Sequence, residues 1–258
     1  MSSQISLITY NVNGIRAAMK KGLVDWLKEN KYDVVMLQET KAQPEQIDVK
    51  EFENLGYHHF WFSAEKKGYS GVGILTKIKP DQIKLGINLD QYDSEGRVLR
   101  MDIGDTTFIN TYFPSGTTGE IRQGFKYNFL NDYLDYLLKL KKTRKKIILS
   151  GDYNICHQEI DIHDPKGNKN SSGFLPDERA WMTKFFETGW LDTFRHFNQA
   201  PHQYTWWSNF FNARANNKGW RIDYHNSTKE LEKDLVSSEI LPDVKHSDHC
   251  PVLLKIKL

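Results

Sequence analysis

The stretch KKIILSGDYN, residues 145–154, decides how the rest of this chain is read. Ile147-Ile148-Leu149 is a short, wholly apolar run of the kind that forms a buried strand. Asp152 and Asn154 follow it at once, at the point where a strand end meets a loop. In layered α/β folds, ligands gather at such ends. The same arrangement recurs on both sides. Asn11 follows Leu7–Tyr10, Glu39 follows Val34–Gln38, and Tyr112 ends Phe108–Thr111. Asp223 follows Trp220-Arg221-Ile222, and Asp248 and His249 stand just before Val252–Lys257.

Taken singly, each of these has an ordinary structural explanation. Gly-Asp-Tyr-Asn after a strand makes a turn, because Asp and Asn bond their own backbone. Ser247-Asp248-His249 reads as a cap beside a surface imidazole, and Glu39-Thr40-Lys41 as a solvated loop. Taken together they point elsewhere, since independent turns have no reason to supply one ligand set. Glu39, Asp152 and Asp248, with amide oxygens from Asn11 and Asn154, suit Mg²⁺ or Mn²⁺. No Cys/His spacing suggests zinc. A site of that kind beside a His–Asp pair serves the attack of water on phosphorus.

The surrounding chain sets the bounds. Its 258 residues are 39% hydrophobic and 26% charged, which excludes wholesale disorder. With 35 Lys and Arg against 33 Asp and Glu, charge alone neither announces nucleic acid nor forbids it. Cys156 and Cys250 are too few for a disulfide framework and fit a reducing compartment, although one bond between them is formally possible. No apolar run approaches the roughly 18 residues of a membrane span. The opening MSSQISLITYNVNG has no basic stretch ahead of its apolar residues, unlike a secretory signal. We therefore expect a cytoplasmic monomer away from membranes, folded as one domain over residues 1–258.

Strands and helices are mixed along it. Ile5–Tyr10, Val34–Leu37, Gly71–Leu75, Val98–Ile103, Thr107–Tyr112, Ile147–Leu149 and Pro251–Leu258 read as strands. Helical spacing predicts helices over Lys20–Asn30, Gly124–Lys142 and Pro176–Phe186, the last with Pro in its first turn. Six basic residues crowd Lys139–Lys146; a helix C-terminus with solvated cations accounts for them better than a nucleic-acid patch does.

Ten stretches, in order and at compatible spacing, resemble the exonuclease III type of apurinic/apyrimidinic (AP) endonuclease, within the Mg²⁺-dependent endonuclease/exonuclease/phosphatase superfamily. They are NVNGIRA (11–17), LQETK (37–41), GYSGVG (68–73), EGR (95–97), TYFPSG (111–116), SGDYNICHQEID (150–161), PKGNKNSSGFLPDER (165–179), YTWW (204–207), GWRIDY (219–224) and SDHCP (247–251). The likeness covers essentially the whole chain. It implies a four-layer α/β sandwich, with two mixed β-sheets packed face to face and helices outside.

It implies roles as well. Glu39 resembles the family's principal metal ligand, with Asn11 and Asp248, and further Asp152, Asn154 and His249, completing sites for one or two ions. Asp152 is similar to the residue that activates water, Asn154 to a transition-state stabiliser, and Tyr112 to the phenol on the scissile phosphate. Asp223 and His249 resemble the orienting pair; the general base stays open between Asp152 and His249. Arg16, Lys41, Tyr69, Arg122, Asn168, Asn212, Arg214 and Lys218 lie in matching motifs or adjacent loops as contacts to the DNA backbone. Trp206, Trp220 and Ile222 match an apolar pocket for a base-less sugar, and one of Trp206 and Trp207 is assigned to the core. The activity implied is Mg²⁺-dependent cleavage of duplex DNA 5′ to abasic sites, with 3′→5′ trimming of 3′ ends, Mn²⁺ substituting.

The chain departs from the family pattern in places. Asn13 stands where many animal members have Asp. Ser115–Thr118 differs from the loop those members use as a clamp, and lacks a bulky basic residue. His225-Asn226-Ser227-Thr228 replaces an apolar strand continuation. The long N-terminal extension of animal members is not seen ahead of the first strand, so we expect a compact bacterial-type enzyme. Two other readings compete: a superfamily enzyme acting on phosphoinositides or sphingomyelin, and a non-catalytic DNA-binding relative. GWRIDY and PKGNKN weigh against the first, and the complete set of acid, amide, phenol and imidazole residues weighs against the second.

Overall fold

In the computed structural model, which describes residues 4–258, Ile147-Ile148-Leu149 forms the middle of a seven-residue strand in one of two six-stranded sheets. The strands are β1 (Gln4–Asn11), β2 (Val34–Gln38), β3 (His58–Phe62), β4 (Val72–Thr76), β5 (Gln82–Leu85), β6 (Val98–Ile103), β7 (Thr106–Tyr112), β8 (Lys146–Asp152), β9 (Trp190–Asp192), β10 (Trp206–Trp207), β11 (Gly219–Trp220), β12 (Asp223–Thr228), β13 (Leu235–Ile240) and β14 (Val252–Lys257). The first sheet runs β13-β14-β1-β2-β4-β3 and the second β5-β6-β7-β8-β12-β9; β10 and β11 form a separate ribbon. Both sheets are mixed, with β1 parallel to β2 and β7 parallel to β8. The helices are α1 (Ile15–Lys20), α2 (Leu23–Asn30), α3 (Lys50–Glu53), α4 (Asp90–Asp93), α5 (Glu120–Thr143), α6 (Pro176–Glu187) and α7 (Thr193–Phe197).

Alternation along the strands explains the layering. Leu7, Val34 and Met36 of the first sheet meet Leu99, Phe108 and Ile148 of the second in one buried cluster between the sheets. Their sequence neighbours Ile8, Val35 and Leu37 face outward, onto Ile15, Leu23, Leu27 and Phe52 of α1, α2 and α3. Ile147 and Leu149 likewise face away from Ile148, onto Phe129, Tyr133 and Leu137 of α5 and Trp181 and Phe185 of α6. A strand covered on both faces has no polar side, so it reads as an unbroken apolar run. The order helix, sheet, sheet, helix is the four-layer sandwich expected.

Gly151 is required by this arrangement. It pairs with Thr111 across the parallel β7/β8 ladder, and a Cβ there would stand 1.8 Å from the Thr111 carbonyl oxygen. Any side chain would push the two strands apart at the end where Tyr112 and Asp152 lie opposite each other.

Several boundaries differ from the periodicity reading. The helix expected over Lys20–Asn30 is α2 and starts three residues later, at Leu23, because Gly22 at φ 97° takes a left-handed conformation that separates it from α1. Helix α5 begins at Glu120, ahead of its apolar stripe; Ile121 in its first turn is 90% exposed. Asp223 opens a strand instead of following one, since Trp220 belongs to the ribbon and β12 begins at Asp223 itself. Strands β3, β5, β9, β12 and β13 carry no run of buried-strand type. The basic cluster at the end of α5 is largely occupied. Lys141 donates to the Thr188 and Gly189 carbonyls, Arg144 to the Gly104 carbonyl, and Lys146 pairs with Asp105 at 2.8 Å. Cys156 and Cys250 are both buried as free thiols. Among the described residues, no helix is long and apolar enough to cross a membrane.

The polar segment His225–Thr228 is the interior of β12, and all four residues are buried between β8 and β9. It is tolerated because most of its polar atoms have partners. The Asn226 side chain accepts from the Tyr153 hydroxyl at 2.5 Å and donates to the Leu191 carbonyl; Thr228 donates to the Lys145 carbonyl. His225 donates from Nε2 to the Val252 carbonyl and accepts at Nδ1 from the Ser150 hydroxyl. That pattern holds the ring neutral, and burial pushes its pKa down to about 4. An unfolded histidine takes up its proton near pH 6.5, so the unfolded state binds more protons below that pH. Stability from this residue is therefore full above pH 6.5 and lost as pH falls toward 4. Between those limits the wild type should lose on the order of 3 kcal/mol more than a His225→Gln variant. Urea unfolding at stepped pH measures this; parallel curves for the two proteins would refute it.

Candidate active site

One edge of the double sheet collects the polar strand ends, and strand direction is the reason. The parallel pairs β1/β2 and β7/β8 all finish there, with Asn11 beside Gln38 and Tyr112 beside Asp152. The antiparallel partners β12 and β14 begin there, so Asp223 lies opposite Asp152, and the loop carrying Asp248 and His249 enters β14 at the same edge. Glu39, Asn11 and Asp248 come from the first sheet, and Tyr112, Asp152, Asn154 and Asp223 from the second.

Asn11 joins the two halves. Its amide nitrogen donates to Glu39 Oε1 and to Asp152 Oδ2, both at 2.8 Å. Lys41 Nζ lies 2.6 Å from Glu39 Oε2. Burial works against the charge on Glu39, but Lys41 and the Asn11 amide hold its carboxyl below the ordinary range. Asp152 Oδ1 accepts from the Asn154 backbone N–H at 2.8 Å. Burial, then the charge of Asp223, push the Asp152 carboxyl up to about 7, with His249 acting the other way. Glu39, Asp152 and His249 each offer a ligand atom within 4.8 Å of the others. The two carboxylates so placed offer oxygen donors that fit a divalent cation, with the imidazole standing beside them.

His249 is built as a cation. Its Nδ1 donates to Asp223 Oδ2 at 2.9 Å, and the same oxygen accepts from the Thr205 hydroxyl at 2.6 Å. Asp223 Oδ1 is buried with no partner, so the carboxylate's charge is met chiefly by the imidazole. Burial disfavours charge on His249, yet Asp223, and beyond it Asp152 and Asp248, push its pKa up to about 10. Its Nε2 stands 4.0 Å from Asp152 Oδ2. Asp248 accepts from Asn13, Ser247 and Trp206 Nε1, and is held below its ordinary range although burial opposes this. Asn13 also accepts from Lys41 at 2.5 Å. An amide suits that position, because an aspartate there would face the Asp248 carboxylate.

Tyr112 and Asn154 close the site. Burial, with the carboxylates of Glu39 and Asp152, pushes the Tyr112 phenol well above its ordinary range, so it remains a donor. Arg97 lies 5.0 Å from the centre of that ring and donates to the Tyr112 carbonyl at 3.0 Å. Asn154, at φ 51°, donates from its side chain to the Phe113 carbonyl.

A cleft of about 610 Å³ runs from these groups to an apolar wall. Trp206 and Trp220 meet edge to face at 5.9 Å and 89°, and Ile222 packs behind them with Phe174. Trp207 takes the core position, stacked on Arg214. Ser115, Gly116 and Thr117 also line the cleft, and the Ser115 and Thr117 hydroxyls bond each other at 2.9 Å.

The residues read as backbone contacts divide into two groups. Arg16, exposed, lines an open groove of about 700 Å³ with Lys20 and Lys41; Asn212 and Lys218 are exposed on the loop after Trp207. The others are engaged within the chain. Arg122 pairs with Glu95 at 2.8 Å and donates to the Tyr69 hydroxyl. Asn168 donates to the carbonyls of His163 and Asp164. Arg214 donates to the carbonyls of Ser247, His249, Pro242 and Val244, and so latches the loop that carries Asp248 and His249. Reading the sequence did not single out Thr205, Arg97 or Asn13 as supports of the site. Thr205 lies in the YTWW stretch and Arg97 in EGR, but hydroxyls and guanidinia that hold other side chains have no signal of their own in one sequence.

Comparison with known proteins agrees with this geometry. The family model described as "Endonuclease/Exonuclease/phosphatase family" matches residues 8–249. The chain is 40% identical to an exodeoxyribonuclease of Bacillus subtilis (strain 168) over 256 residues, covering 98% of this chain and 100% of that protein. It is 36% identical to the DNA repair nuclease APEX1 of Danio rerio, covering 98% of this chain and 82% of that one. Its fold superposes on an AP endonuclease from Archaeoglobus fulgidus with a TM-score of 0.87 at 30% identity, over 97% of this chain and 98% of the other. With strand ends, donor set and family model in accord over nearly the whole length, the chain belongs to the endonuclease/exonuclease/phosphatase family.

Proposed function

We propose that this chain is a metal-dependent DNA repair nuclease that uses Mg²⁺, cuts duplex DNA 5′ to an abasic site, and removes nucleotides or blocking groups from 3′ ends. The observation that carries this reading is the single cleft in which phosphate-directed groups adjoin an apolar box of Trp206, Trp220 and Ile222. Glu39 and Asp152 would hold the ion, with Asn11, Asn154 and Asp248 around them. A divalent ion bound there neutralises charge on the phosphate and on the departing 3′ oxygen. Mn²⁺ fits the same oxygen donors. The whole chain works as one monomeric unit, in a cytoplasm that keeps Cys156 and Cys250 reduced.

The chain's own groups divide the remaining work. His249, charged and oriented by Asp223, presents Nε2–H to a non-bridging phosphate oxygen, and so serves as a donor and not as an ion ligand. Donors fixed in place before the reaction stabilise the charge that develops in it, because no reorganisation is needed. Tyr112 adds a phenol held protonated by its surroundings. Asp152, buried at the end of β8 opposite Asp223, accepts the proton of the attacking water, a role worth roughly 10²–10⁴ in rate. Trp206, Trp220 and Ile222 give a bare deoxyribose an apolar wall to pack against. Extruding a nucleotide costs a few kcal/mol, and least where no base pairs or stacks. Selectivity then needs no base-edge reading. The small residues Ser115–Thr117 in the cleft lining leave space for a duplex end.

Three outcomes follow from these assignments. EDTA should abolish cleavage of abasic duplex, and Glu39→Gln should raise the Mg²⁺ concentration for half-maximal rate by about tenfold or more; full activity in EDTA would overturn the metal assignment. Asp223→Asn and His249→Asn should each lower kcat/KM by roughly 10²–10⁴, and the double variant should be little worse than either. Additive losses would show that the two do not act as a unit. Trp220→Ala should narrow the preference for abasic over intact duplex without changing the Mg²⁺ requirement. A labelled series of abasic, nicked, recessed 3′-end and intact duplexes measures this; equal cutting of abasic and intact duplex by the wild type would remove the pocket from the argument.

A further inference from the structure

Lys126 and Glu178 form an ion pair that is wholly buried, with both side chains at 0% exposure and Nζ 2.5 Å from Oε1. Burying two charges costs several kcal/mol each, and such a pair is often no more stabilising than apolar residues of the same size. Stability alone therefore does not account for it. Its remaining bonds do. Lys126 Nζ donates to the backbone carbonyl of Asn154 at 2.8 Å. Glu178 Oε2 accepts from the backbone N–H of Gly173 at 2.6 Å and of Leu175 at 3.0 Å. Gln123, three residues before Lys126 and so on the same face of α5, donates to Glu178 Oε1 and accepts from the Ser172 hydroxyl.

Every one of these backbone groups belongs to a segment bordering the cleft. Asn154 is the amide beside Asp152, and Ser172 and Gly173 form the wall next to Trp220. Gly173, at φ 95°, is wedged between them: a Cβ there would lie 3.0 Å from the Asn154 carbonyl oxygen and 3.0 Å from Trp220 Cζ3. Asn154 itself sits in the left-handed region at φ 51°, a conformation that its surroundings must maintain.

We infer that Lys126, held by Glu178, is a positioning residue that fixes the Asn154 backbone against the Gly173–Trp220 wall, and so sets the spacing between the phosphate end and the sugar end of the cleft. Neither side chain touches the substrate. Lys126 acts through Asn154, and Glu178 orients Lys126 while capping the start of α6. The inference rests on the nuclease reading given above.

The double substitution Lys126→Met with Glu178→Gln tests it. It removes both buried charges together and leaves a Gln oxygen to cap Gly173 and Leu175, so thermal unfolding should change little. On abasic duplex, kcat should fall about tenfold or more with KM changed less than about twofold, because a small misplacement of a reacting group costs rate more than binding. In an Asn154→Ala background the same double substitution should cost less than about twofold further, since the side chain carried by the backbone it positions is already gone. An equal loss in both backgrounds would assign the pair a purely structural part, and an undiminished kcat would also overturn the inference. Should the double variant fold poorly, Gly173→Ala presses on Asn154 and Trp220 from the other side with the ion pair intact. It should show the same dependence on Asn154, and additive losses there would again refute the inference. An inactive wild type in this series would speak against the nuclease reading itself, a result distinct from an active wild type with an unaffected variant.

Discussion

Gln38 on β2 and Asn110 on β7 hold the two sheets at a fixed offset beneath the site. The Gln38 amide donates to Asn110 Oδ1 at 2.6 Å, and the Asn110 amide donates to the carbonyls of Leu37 and Gly73 at 2.9 and 2.8 Å. Both side chains are fully buried. Apolar contact between sheets is non-directional and tolerates sliding. Hydrogen bonds in that dry interior do not, since any slip would strand polar groups without partners. Glu39 is the residue after Gln38, and Tyr112 lies two beyond Asn110. The bridge therefore sets the distance across which one sheet's carboxylate faces the other sheet's phenol and Asp152.

Charge balance in the cleft follows from that meeting. Glu39, Asp152, Asp223 and Asp248 converge on one edge, and so many carboxylates would repel without compensation. Asn11 and Asn13 supply neutral N–H donors between them, Lys41 supplies one cation, and His249 supplies another. Burial first, and the Asp223 charge second, displace Asp152 upward, whereas His249 is raised by the carboxylates against its own burial. The carboxylates whose oxygens fit a cation are thus also the groups that raise the pKa of the imidazole next to them.

The arginines near the cleft show how one residue type serves two purposes. Arg122 and Arg214 were read as backbone-phosphate contacts, yet their forks, like that of Arg97, are spent within the chain: on Glu95, on the carbonyls of residues 242–249 and on the Tyr112 carbonyl. A guanidinium offers five donors in a fixed plane, which suits irregular backbone as well as it suits phosphate. Each of these loops carries or borders a site residue, so loop order and site geometry share the same bonds.

Periodicity and short motifs in the sequence determined much of this protein. The apolar runs at 34–37 and 147–149 disclosed strands covered on both faces, and the polar residues soon after them disclosed the edge where the site lies. Those features are local, and local sequence records them. The polar strand His225–Thr228 was not legible, because its residues are buried by virtue of partners on β8, β9 and β14 that lie far away in the chain. The same holds for the break at Gly22, for the engagement of Arg214, and for the pair of Lys126 with Glu178, 52 residues apart. Whether an arginine reaches solvent or a carbonyl, and whether an amide is surface or core, depends on what the folded chain places opposite it. Composition and spacing specify the groups available; only the tertiary structure decides which of them find one another, because a hydrogen bond needs a partner within about 3 Å.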